Sequence, residues 1–174
     1  HLDTTERHEG MVAAIAFESV VKLLAFLAVG IYVTYWLYDG FGDLYARASA
    51  VPELQRLLAF DGAGRLGYGG WFAHVLLAML SIIFLPRQFQ IAVVENVNEQ
   101  HLRRATWAFP AYLLLINIFV IPIAIGGLLH FGQGTVDPDT FVLTLPMAHD
   151  NAALALFVFI GGLSAATGMV IVEA

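Results

Sequence analysis

The sequence predicts an all-α fold, a polytopic bundle of transmembrane helices, and two observations lead to this prediction. Of the 174 residues, 59% are hydrophobic and only 13% are charged, whereas a soluble domain carries roughly 45–50% apolar and about 25% charged residues. The apolar residues collect in long runs separated by Gly, Pro and charged residues, which is the pattern of bilayer-spanning helices. The chain has no Cys, so disulfides and thiolate metal sites are excluded.

The charged residues and the ends of the sequence restrict the kind of protein further. The net charge is -6, and the eight Lys and Arg residues are scattered, so no nucleic-acid partner is expected. The chain starts at His1, no signal peptide precedes the first apolar run, and the last residues lie within another apolar run. We therefore expect this sequence to be an interior fragment of one longer transmembrane domain.

Four spans are predicted from the apolar runs, at about residues 11–38, 68–85 continuing to 95 after a break, 107–130 and 152–174. Asp39-Gly40 ends the first span. A surface amphipathic segment follows at 41–60, with Pro52 in the first position of its helix. Asn98 is placed to cap a helix that begins at Glu99.

The stretch from Phe131 to Asn151 contains four potential helix breakers and no Lys or Arg, so the sequence predicts a loop. The Lys/Arg count places the loop with Arg87, Arg103 and Arg104 on the cytoplasmic side.

Glu18 and Lys22 are four residues apart within the first span, in the order that favours an ion pair on one helix face. Two interpretations stay open. The pair is structural and faces the bundle interior, or it marks an ion path or gate, as ionisable groups inside membrane spans do.

The densest polar break inside apolar sequence is Pro86-Arg87-Gln88-Phe89-Gln90. In discontinuous membrane helices, such breaks form substrate and ion sites. We assign Pro86, Arg87, Gln88 and Gln90 to substrate binding on this basis. The alternative is that Pro86 merely ends the span and Arg87 anchors it at the cytoplasmic face.

Several other polar residues lie on predicted spans. Trp71 and His74 on span two are added to the substrate-binding set, although a single intramembrane His is more often a packing residue. Ser164 and Thr167 on span four either pack against a neighbouring helix or offer oxygen ligands to a hard cation. The histidines outside the spans show no two-His-one-carboxylate clustering, so no metal site is predicted.

Four strings resemble one family in collinear order along essentially the whole chain. The family is the sodium:solute symporters, in the branch that forms the transporter-like membrane domain of CbrA-type sensor histidine kinases. The strings are residues 3–11 (DTTERHEGM), 84–90 (FLPRQFQ), 94–99 (VENVNE) and 161–169 (GGLSAATGM).

This resemblance implies a LeuT-type fold of two inverted five-helix repeats, in which the four spans are the fifth to eighth helices and span two is the broken sixth. The chain departs from the family pattern at one place: ordinary symporters carry an Arg shortly after the break, where this chain reads Ile91-Ala92-Val93. By the resemblance, the family's Ser-Thr pair that binds the coupling Na⁺ is expected just beyond Ala174.

The resemblance also implies a function. The domain binds and transports a small solute, an amino acid such as histidine, and serves as the sensory input of a two-component sensor histidine kinase in the bacterial inner membrane. The implied partners are the lipid bilayer, the remaining helices and the cytoplasmic kinase domains. The resemblance implies no enzyme activity for this segment and no cofactor. Na⁺ is the candidate coupling ion. The alternatives are a plain sodium-coupled symporter without signalling, and a structural or haem-bearing membrane subunit.

Overall fold

The computed structural model describes residues 9–58, 67–84 and 99–173, and every regular element in those ranges is helical. The all-α prediction is therefore confirmed. The elements are α1 (Glu9–Tyr32), a π-helical segment (Val33–Leu37), α2 (Phe41–Ser49), α3 (Pro52–Leu58), α4 (Gly67–Phe84), α5 (Glu99–Phe131), a 3-10 turn (Pro138–Thr140), α6 (Phe141–Ala148) and α7 (Ala152–Glu173).

Two helical stretches of the described chain are long and apolar enough to cross a membrane. They are Ala13–Leu37 and Arg103–Phe131, with mean hydropathies of 2.1 and 2.4. Only 17% and 28% of their most apolar windows are buried inside the protein. Large side chains such as Phe17 and Leu114 are exposed, which suits a helix surrounded by lipid. Tyr68–Ser81 and Ala152–Ser164 are shorter apolar helices, and four spans remain a prediction.

The first span ends where the sequence predicts. Tyr38 leaves the helix in an extended conformation, and Gly40 has a positive φ of 99°, a backbone conformation that favours glycine. The Gly40 N–H donates to the Thr34 carbonyl at 2.8 Å and closes the end of the helix. The last five residues before this turn, however, form a π-helix instead of continuing the α-helix.

The predicted surface segment consists of two helices instead of one. α3 begins at Pro52, as predicted, and the chain bends after α2, where the Val51 N–H donates to the Ala48 carbonyl at 3.2 Å. Leu44 and Leu54 are buried, so each helix packs one apolar side inward. Residues 59 and 60 lie outside the described ranges.

The prediction of a loop from Phe131 to Asn151 is wrong for its second half. The chain folds into α6 there, because Phe141 and Leu145, one helical turn apart, are both completely buried. That burial outweighs the backbone hydrogen bond that Pro146 cannot donate. Breaker residues set a local preference only, and tertiary packing overrides it here.

The chain divides into two compact units, His1–Arg56 with Pro110–Ala174 and Leu57–Phe109. The core of the first unit is formed by buried apolar side chains from α1, the π segment, α5, α6 and α7: Val29, Val33, Ile123, Phe141, Leu145 and Val158.

Glycines allow the helices of this unit to approach closely. A Cβ on Gly30 would overlap the Phe119 ring, and one on Gly127 would overlap the Phe141 ring. A Cβ on Gly161 would lie 2.9 Å from that of Ala25. At Gly161 the small-residue face of α7 therefore contacts α1 closely.

Gly161→Ala is expected to destabilise the bundle relative to Gly162→Ala. Both substitutions gain the same helix propensity, about 1 kcal/mol, but nothing lies within 4 Å of a Cβ at Gly162. The added methyl at Gly161 should cost about 1–3 kcal/mol of overpacking. Unfolding in mixed detergent micelles measures the difference, and equal stability of the two variants would show that α1 and α7 do not meet at this contact.

Candidate functional site

An ion pair lies on α1, as the spacing of its residues predicts. Lys22 Nζ is 2.7 Å from Glu18 Oε1, and the two side chains are 33% and 12% exposed. The pair sits where other helices meet α1: Tyr112 on α5 donates its hydroxyl hydrogen to the Ser19 carbonyl at 3.2 Å, and Gly161 on α7 packs beside Val21. Each charge is neutralised by the other, which lowers the cost of holding both in an apolar helix.

The π-helical segment contains a buried polar side chain, Thr34. Thr34 is completely buried, and its hydroxyl has no hydrogen-bond partner among the described residues. An unsatisfied buried hydroxyl costs about 1–3 kcal/mol. π segments within α-helices are frequent at functional sites, so this coincidence marks the segment as a functional candidate.

A second ion pair follows the π segment, on α2. Arg47 Nε lies 3.0 and 2.9 Å from the two Asp43 carboxylate oxygens, and its guanidinium lies over the Tyr38 ring at 5.5 Å. The hydrogen bond from Arg47 holds the pKa of Asp43 below its ordinary value. This exposed pair has the same i,i+4 spacing as Glu18–Lys22.

The predicted substrate-binding residues fall into two groups. Pro86, Arg87, Gln88 and Gln90 lie outside the described residues. Trp71 and His74 lie on α4 and are exposed. His74 Nδ1 is 2.7 Å from the Gly70 carbonyl of its own helix.

The two residues predicted as oxygen ligands lie near the end of α7. The Thr167 hydroxyl is within hydrogen-bond distance of the Leu163 and Ser164 carbonyls, at 3.1 and 2.8 Å. The hydroxyl therefore donates to its own helix, and its oxygen lone pairs remain the atoms that a cation would use. Binding of Na⁺ by Ser164 and Thr167 stays a prediction.

The first turns of α5 form an open cleft that the sequence does not reveal. Its volume is about 660 Å³, and the described residues that line it are Gln100, Arg103, Arg104, Trp107 and Ala108. Arg103 is also the first residue of the apolar stretch that ends at Phe131. Two guanidinium groups beside an exposed Trp, at the polar end of an apolar helix, suit an anionic group at a membrane surface.

Sequence reasoning also misses a pair of histidines. His130 at the end of α5 and His149 at the end of α6 have ring centroids 4.6 Å apart. Their positions in the sequence follow no helical spacing, and His149 falls in the stretch predicted as a loop. Only the fold of α6 brings the two rings together.

The Glu18–Lys22 pair should show strong energetic coupling in a double-mutant cycle. Glu18→Gln or Lys22→Met alone leaves one charge unpaired in an apolar helix, and each should lower the free energy of unfolding by about 1–3 kcal/mol. The double variant should recover most of this loss. Asp43→Asn with Arg47→Met is the matched control, and we expect a much smaller coupling there, since exposed pairs contribute little. Equal coupling of the two pairs would contradict the assignment.

Replacement of Thr34 by Val should stabilise the protein by about 1–3 kcal/mol, because it removes an unsatisfied hydroxyl with little change in shape. Thr144→Val is the control, since the Thr144 hydroxyl donates to the Thr140 carbonyl at 3.0 Å; this variant should lose stability. Unfolding in detergent measures both. A Thr34→Val variant less stable than the parent would mean that the hydroxyl has a partner.

Comparisons of the chain with protein-family models, with curated proteins and with solved structures gave no match. Functional inference therefore rests on the residues themselves: the ion pair, the π segment with Thr34, and the sequence strings that surround the predicted break.

Proposed function

We propose that this chain is part of a sodium:solute symporter-like domain that crosses the bacterial inner membrane several times in a LeuT-type arrangement. The domain binds and transports an amino acid, and histidine is the proposed substrate. Binding of this substrate is signalled to a sensor histidine kinase. The observation that carries the proposal is the collinear resemblance of four strings, among them FLPRQFQ at 84–90 and GGLSAATGM at 161–169.

The described geometry supports a domain whose helices move against one another. The contact of Gly161 with Ala25 lets α7 and α1 meet through small groups, and such contacts are held by van der Waals packing without interlocking side chains. The π segment at Val33–Leu37 adds a point where helical hydrogen bonding already departs from the α pattern. Rocking of rigid helices about a central site is the mechanism of alternating access.

The substrate site is proposed at the break between residues 86 and 90. The Arg87 guanidinium is suited to a bidentate pair with the carboxylate of an amino acid, and the amides of Gln88 and Gln90 are suited to its polar groups. Trp71 and His74, upstream in span two, complete the proposed set, and the Ser164 and Thr167 hydroxyls are candidate oxygen ligands for a hard cation. Substrate that binds one arrangement of the helices more tightly shifts the population toward it.

Uptake by the full-length protein in liposomes tests this proposal. Labelled histidine should accumulate when an inward Na⁺ gradient is imposed, and Arg87→Gln should weaken histidine binding by about 10- to 100-fold, because a charge-assisted hydrogen bond is lost. Arg47→Gln is the control, since Arg47 pairs with Asp43; its binding should match that of the parent.

Three outcomes discriminate the alternatives. Binding without uptake, together with histidine-dependent autophosphorylation, would indicate a sensor that has lost transport. Uptake without any change in phosphorylation would indicate a plain symporter. Histidine binding unaffected by Arg87→Gln would contradict the site assignment.

A further inference from the structure

We propose that His130 and His149 form a binding site for a late first-row divalent cation such as Zn²⁺, at the end of α5 where it meets the turn between α6 and α7. The site is independent of the proposed transport function. It takes its two protein ligands from residues 19 positions apart, which the fold brings together.

The turn after α6 fixes the position of His149. The Asp150 N–H donates to the Met147 carbonyl at 3.1 Å, the Asn151 N–H donates to the Pro146 carbonyl at 2.9 Å, and Asp150 takes a positive φ of 54°. This is the Schellman arrangement that ends many helices. Asn151 then caps α7, since its side-chain oxygen accepts from the Leu154 N–H at 3.2 Å. His149 is therefore held between two helices by backbone hydrogen bonds.

The hydrogen bond of the His149 ring determines which nitrogen is left for a metal. Nδ1 lies 3.0 Å from the Leu145 carbonyl oxygen, and because a carbonyl only accepts, Nδ1 carries the hydrogen. In the neutral ring, Nε2 then presents a lone pair. Metal-binding histidines characteristically donate their other ring N–H to a carbonyl or carboxylate, which fixes the tautomer and orients the ring.

The separation of the two rings suits a shared ion. Zn²⁺ binds imidazole nitrogen at about 2.0–2.1 Å in a tetrahedral geometry, which places two ligating rings about 5 Å apart. The centroids of His130 and His149 are 4.6 Å apart, with the ring planes inclined by 44°. Both side chains are exposed, so an ion and its water ligands can reach the two rings.

The local charge also favours a cation. The segment from Gly132 to Asn151 contains Asp137, Asp139 and Asp150 but no Lys or Arg. Within the described part of the chain, no group of three or more His, Asp or Glu side chains is placed to hold a metal. Two imidazoles therefore supply the protein ligands, and water completes the coordination of an exposed site.

Titration of the purified chain with Zn²⁺ by calorimetry tests this site. His130→Gln and His149→Gln should each weaken the binding of one Zn²⁺ per chain by at least about tenfold, since loss of a ligand should cost no less than loss of an outer-shell partner. His74→Gln is the matched control. His74 is also exposed and also has Nδ1 next to a carbonyl four residues back, at 2.7 Å from Gly70 O, and its variant should bind Zn²⁺ as the parent does.

A second measurement keeps the test independent of folding defects. Zn²⁺ should raise the unfolding midpoint of the parent and of His74→Gln, because the ion joins α5 to the turn after α6. It should leave the unfolding midpoints of His130→Gln and His149→Gln unchanged. Unaltered affinity in His130→Gln or His149→Gln, or an equal loss in His74→Gln, would overturn the proposal.

Discussion

The packing of the first unit depends on the close approach of helix backbones to α1. In a lipid environment the hydrophobic effect does not drive helices together, so their association needs extensive van der Waals contact. Gly30 admits the Phe119 ring, Gly126 admits Val33, and Gly161 admits Ala25. α1 thus contacts α5 on one side and α7 on another. A methyl group added at any of these glycines would overlap a neighbouring side chain.

The same close approach accounts for the end of α1. Val33 fills the space over Gly126, and the hydroxyl of Tyr38 reaches the Gly126 carbonyl at a long 3.5 Å. The π turn widens the helix between these two contacts, and Thr34 is buried within it without a hydrogen-bond partner among the described residues. The packing of apolar side chains therefore outweighs the missing hydrogen bond of the Thr34 hydroxyl at this position.

The sequence predicts the features that depend on local chemistry. Asp39-Gly40 ends the first helix, α3 begins at Pro52, α5 begins at Glu99, and Glu18 pairs with Lys22. Other features depend on contacts between distant residues and have no local signal. α6 forms because Phe141 and Leu145 are buried in the core of the first unit. The His130 and His149 rings come together only when α6 has formed. Arg87 and its neighbours stay a prediction from the sequence.

The two polar features of the helical stretch Ala13–Leu37 are held in place in different ways. At Glu18–Lys22 the charges satisfy one another, and a shift that separates them leaves a charge unpaired in an apolar setting. At Thr34 the hydroxyl has no hydrogen-bond partner among the described residues, and the segment is held by contacts such as that of Val33 with Gly126. Charge pairing therefore constrains the part of this stretch that holds Glu18 and Lys22, whereas apolar packing of the buried Val33 constrains the π segment.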